Sequence, residues 1–137
     1  MALLDALTRR RSPTREERAV ALLLAGGRLA IGAGIWLAPR LTLRALGFGA
    51  EPSQAELTLA RMAGARDLIL GAWHATALGD PGELRRATAA ITFADAGDMA
   101  AFALVAKSGE NPRAAILGLG AAAPATALGA WLTGRLR

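Results

Sequence analysis

An all-α fold, a four-helix transmembrane bundle with both termini in the cytoplasm, follows from three observations. Four separate helix-start signals recur along the chain, and no segment shows the two-residue period of a strand. The stretch 114–132 runs 19 residues without a charge, and Thr126 is its one polar side chain. A helix on the surface of a water-soluble bundle needs a polar face, which this stretch lacks. Basic residues also divide unequally between the two ends of the helices, as the positive-inside rule requires.

The helices can be justified in order. Residues 1–13 read as a cytoplasmic tail with a short amphipathic turn at Leu3, Leu4 and Leu7. An apolar patch followed by Arg9, Arg10 and Arg11 is the wrong order for a secretory signal, which puts its basic region first. A single domain then covers 14–137. Thr14 and Glu17 form a capping box that starts the first long helix. Its apolar part, 19–38, matches a hydrocarbon core of ~30 Å, and Pro39 ends it. Within it Gly26, Ala30 and Gly34 repeat every four residues and predict a close-packing face. A short interfacial helix is expected over 40–46, with Phe48 as its anchor. Ser53 and Glu56 open the second long helix, with a span at 57–78. Asp80, Pro81 and Glu83 open the third, with a span at 87–106. Asn111 and Pro112 open the fourth, with a span at 114–132. There Gly118, Ala122, Thr126 and Ala130 predict a second close-packing ladder.

Composition narrows the function classes. The chain has no Cys, so disulfides, thiolate catalysis and Cys-based metal sites are excluded. One His excludes a multi-His metal site within one chain, and no metal or cofactor is expected. The formal charge of +5 lies largely in the tail and loops, with no aromatic-basic stacking surface, so nucleic acid is not an expected partner. The expected partner is the lipid bilayer, at the cell membrane. Nine basic residues (Arg9, Arg10, Arg11, Arg15, Arg18, Arg85, Arg86, Arg135 and Arg137) lie toward one side. Four (Arg40, Arg44, Lys107 and Arg113) lie toward the other. Trp36, Trp73 and Trp131 fall near span ends, where interfacial aromatics sit.

The remaining charges form the candidate site. Arg28, Arg61, Arg66, Asp67, Asp95 and Asp98 all fall within spans, three of each sign. Exposing one such charge to lipid costs ~2.5–3.5 kcal/mol, so they must face one another or water. At ~1.5 Å per residue, Arg28, Arg66, Asp67 and Asp95 come to similar depth. Asp95 and Asp98 share a helix face with Thr88, Ile91 and Phe102, and Asp67 and His74 share one with Gly64 and Gly71. Arg66, on the neighbouring helix at matching depth, is the expected partner of the Asp95–Asp98 pair, and Arg28 the second candidate. Two carboxylates on one face can also do acid–base work, with Asp95 and Asp98 as candidate catalytic groups. His74 is expected to be packed or hydrogen-bonded, with a proton acceptor as its functional alternative.

The pattern Arg61-x-x-Gly64-x-Arg66-Asp67-x-x-x-Gly71, followed by Asp95-x-x-Asp98, resembles the small four-span bacterial and fungal membrane proteins grouped with DoxX-like proteins. Some DoxX relatives are associated with quinone-linked enzymes, so the resemblance implies a small lipophilic ligand such as a quinone. Three function classes follow: a module that binds or transports a small lipophilic or ionic ligand, a membrane-embedded isomerase or cyclase using Asp95 and Asp98, and an accessory subunit whose charges serve assembly. Four short spans enclose little volume, which favours a homo-oligomer.

Overall fold

Each long helix begins where a side chain can satisfy the free N–H groups of a first turn. The computed structural model describes residues 11–49 and 51–136. In it α1 spans Arg15–Leu37, α2 Pro39–Ala45, α3 Gln54–Thr76, α4 Pro81–Ser108 and α5 Pro112–Arg135. No strand occurs among the described residues. Thr14 with Glu17, and Ser53 with Glu56, close complete capping boxes on α1 and α3. The Asp80 carboxylate accepts from the N–H groups of Gly82 and Glu83, and Asn111 accepts from Ala114 at 3.1 Å. Gly109, at φ +71°, ends α4 in the left-handed region that glycine adopts without strain. Leu3, Leu4, Leu7, Arg9, Arg10 and Arg137 lie outside the described residues.

Two boundaries differ from expectation. Pro39 ends α1 and also supplies the first residue of α2, because its missing N–H would have no partner there in any case. The second long helix leaves α-geometry at Thr76 and passes through a single 3₁₀ turn, Ala77–Gly79, before Asp80 caps α4.

Helix α1 packs along α3 and α4 along α5, while the two pairs touch each other far less. The buried positions alternate in steps of three and four, as a seam between helices must. On α4 these are Leu84, Thr88, Ile91 and Asp95, and on α3 they are Gly64, Asp67, Gly71 and His74. The apolar core (Ala21, Leu24, Ala77, Leu84, Ala87, Leu132 and Leu136) gathers at the end where α1 begins and α5 finishes. This is called the lower end below. Glu17, fully buried there, joins α1 to α5. It accepts from Arg11 at 2.5 Å, from the Thr14 N–H at 2.8 Å and from Arg135 Nε at 3.3 Å.

The close-packing faces only partly match the predicted ladders. On α1 the approach to α3 is made by Gly32, while Gly34 of the predicted series meets Thr42 of α2, 3.2 Å from its would-be Cβ. A Cβ on Gly32 would lie 2.9 Å from the Gly64 carbonyl oxygen of α3, whereas Gly26 has nothing within 4 Å. On α5, Gly118 lies against Phe102 and Ala122 is buried, but the contact then shifts to Gly129, which lies against Thr92. Ala130 is exposed.

Large apolar side chains point outward around the bundle: Leu22 on α1, Met62 and Ile69 on α3, Phe93 and Leu104 on α4, Ile116 on α5. Among the described residues, three helices, α1, α4 and α5, are long and apolar enough to cross a membrane. Helix α3, expected as a fourth span, is not one of them. It matches α1 in length but carries Arg61, Arg66 and Asp67.

Candidate functional site: a cleft floored by arginine and aspartate

The sparse contact between the α1–α3 and α4–α5 pairs leaves a cleft of about 660 Å³. Its walls are mostly apolar, with Ile31 and Ile35 from α1, Leu59 and Ala63 from α3, Phe102 from α4 and Ala121 and Ala125 from α5. Its upper rim is formed by Leu46, Phe48, Glu51 and Pro52 from the connection before α3 and by Glu56 at the start of α3. Glu51 is engaged by Arg44 at 3.2 Å, and Glu56 accepts from the Ser53 N–H at 2.6 Å. Phe48 is not the interfacial anchor expected of it. It is partly buried, with its ring 6.4 Å from that of Phe102, and both rings line the cleft.

The floor is an ion network. Arg28 enters from α1 and reaches both α3 and α4. Its Nη1 donates to Asp67 Oδ1 at 2.5 Å, and its Nη2 donates to Asp95 Oδ1. All three groups are at least nine-tenths buried. Arg66 lies nearer the cleft and grips Asp98 with two parallel hydrogen bonds, at 3.0 and 2.8 Å, the strong fork-to-fork geometry. It also donates to Asp67 Oδ1, at 3.1 and 3.2 Å. Asp67 is thus the acceptor shared by both arginines. Asp95 Oδ2 is buried and has no hydrogen-bond partner.

The sequence placed the right residues at one depth but matched them differently. Arg28, not Arg66, holds Asp95, while Arg66 takes Asp98 across to α4 and its own neighbour Asp67. The balance of three charges against three does not hold at the floor either. Arg61 is half-buried and does not line the cleft, which leaves two arginines with three aspartates.

His74 lies apart from the network. It follows Asp67 by seven residues on α3, about two turns nearer the lower end. It is fully buried, and its Nε2 meets Thr88 Oγ1 at 3.0 Å. The Thr88 hydroxyl donates to the Leu84 carbonyl at 2.6 Å, so it accepts from His74. That fixes the imidazole with its proton on Nε2 and leaves Nδ1 without a partner. His74 is therefore a hydrogen-bonded, packed histidine.

Two features of the site carried little sequence signal. Glu17 reads as a capping residue, and nothing in its motif marks it as the buried link to Arg135. Phe102 shares a face with Asp95 and Asp98, but its role as cleft wall depends on how α4 meets the connection over the rim. Among the described residues, no three His, Asp or Glu side chains are grouped as a metal site requires. Compared with known proteins, the chain matches no family model, no curated protein and no solved structure.

Proposed function

We propose that the chain is a DoxX-like, multi-pass cell-membrane protein with four spans and both termini in the cytoplasm, and that its cleft binds or transports a small lipophilic or ionic ligand. The observation that carries the reading is an apolar cleft floored by charged groups at mid-depth. Ligand sites are concave and mainly apolar, with a few convergent polar groups. Ionisable groups at that depth otherwise cost more than they contribute. Helix α3 serves as the fourth span in this reading. Its outer face presents Met62, Ile69 and Trp73, and it turns Asp67 inward to Arg28. With the lower end cytoplasmic, the cleft opens toward the outside, and the apolar core closes the cytoplasmic half below it. Trp36, Trp73 and Trp131 are all exposed near helix ends, suited to the two interfaces.

A lipophilic molecule with a polar head, of which a quinone is one example, fits these walls. The acid–base enzyme is the less supported reading, because Asp95 and Asp98 are held by different arginines and do not share one proton site. The assembly reading is less supported too, since the arginines at the floor are satisfied within the chain and leave none for a partner.

Two measurements test this. A reporter fused after Arg137 should report cytoplasm, and one inserted between Gly49 and Gln54 should report the outside. The reverse pair would overturn the topology. Native mass spectrometry of protein released from lipid nanodiscs should show a retained small molecule in the wild type. Ala121→Phe, on the exposed α5 wall of the cleft, should lose it. Equal retention in both would place any bound molecule outside the cleft.

A further inference from the structure

Resting on the reading of the cleft as a ligand site, we propose that its ligand is a lipophilic monocation, an amine in its ammonium form, seated on Asp95. Two observations carry this. The network at the floor holds two arginines and three aspartates, one positive charge short of balance. In a low-dielectric interior a net charge is expensive, and a cation at the floor removes the cost. The vacant acceptor is also identified. Asp95 lines the cleft, its side chain is nine-tenths buried, and its Oδ2 has no partner. An ammonium N–H supplies both the missing charge and the missing donor. An acceptor-only or anionic head supplies neither.

Among the described residues, the side chains around Asp95 offer no further cation. Helix α1 brings Arg28, already divided between Asp67 and Asp95. Helix α3 brings Arg66 and Asp67, with Arg66 committed to Asp98 and Asp67, and His74 bonded to Thr88. Helix α4 itself brings Asp98. The α5 wall is Gly118, Ala121, Ala122, Ala125 and Leu128, none of them titratable. The apolar walls select an organic body over a hydrated inorganic ion.

The experiment compares three probes with one apolar body and different heads: phenylbutylammonium, phenylbutanol and phenylbutyrate. Each is titrated by calorimetry into the full chain in nanodiscs at neutral pH. The ammonium should bind tighter than the alcohol by about tenfold or more, as a charge-assisted hydrogen bond implies, with the carboxylate weakest. Asp95→Asn should bring the ammonium down to the level of the alcohol. If that variant does not fold, the head-group series on the wild type decides alone. Equal binding of the three heads, or preference for the carboxylate, overturns the monocation while the cleft reading stands. If no probe binds, or if binding persists undiminished in Ala121→Phe, the cleft reading falls with it.

Discussion

Arg28→Gln is expected to remove most of the folded protein from membranes. Arg28 is 7% exposed, and its guanidinium donates to carboxylates on two other helices. Removing it leaves Asp67 with Arg66 alone and leaves Asp95 with no arginine. Breaking a buried pair on one side typically costs ~3–5 kcal/mol, a large part of the ~5–15 kcal/mol that holds a domain folded. Glutamine is shorter and neutral, so it cannot bridge both acceptors. A second change should restore part of the yield, and its identity is the informative result. Asp95→Asn in the Arg28→Gln background removes the stranded charge and should rescue. Asp98→Asn should not, because Asp98 belongs to Arg66. The measurement is monodisperse, detergent-extracted yield of the two singles and two doubles. Unchanged yield in Arg28→Gln, or equal rescue by the two asparagines, would mean that the charges lie in water and not against one another.

That partner assignment marks where sequence reasoning stops. Helical angles within one chain segment are rigid, so the faces Asp95–Asp98–Phe102 and Gly64–Asp67–His74 could be read directly, and similar depth followed from counting residues. Which arginine meets which aspartate depends on the order of helices around the bundle, and no single helix encodes that. Because α1 lies against α3, Arg28 is inserted where α3 and α4 meet, and Arg66 is pushed toward the cleft. The small-residue ladders matched only in part for a related reason. A strict four-residue step advances about 40° per step around an α-helix. Three such steps carry Gly118 round to Ala130, off the face, while alternating steps of four and three keep Ala122 and Gly129 on it. The cleft itself exists only in the separation of two helix pairs, so no local pattern announces it. The start signals, by contrast, are local chemistry between residues three apart, and all four long helices begin where those residues sit.

Gly32→Leu is expected to be the most damaging substitution outside the ion network. Around Gly32 the nearest atoms are largely backbone. A Cβ there would lie 2.9 Å from Gly64 O, 3.0 Å from Leu68 N and 3.1 Å from Asp67 Cβ. The reverse approach is as close, with a Cβ on Gly64 3.0 Å from Gly32 O. Backbone cannot rotate aside as a flexible side chain can, so α1 and α3 must separate. Overpacking of this kind typically costs ~1–3 kcal/mol, occasionally more. The effect is larger here because Arg28 lies one turn from Gly32 on the same helix. Moving α1 outward lengthens its bond to Asp67, now 2.5 Å, and weakens a buried ion pair of the floor. The comparison is Gly26→Leu, on the same helix but exposed and with nothing within 4 Å of its would-be Cβ. There leucine should change stability by about 0.5 kcal/mol or less, or raise it slightly through its better helix propensity. Thermal unfolding of both variants in one detergent reads the difference. A Gly32→Leu protein that melts with Gly26→Leu would show that α1 and α3 are not in backbone contact, and that Arg28 reaches Asp67 across a gap.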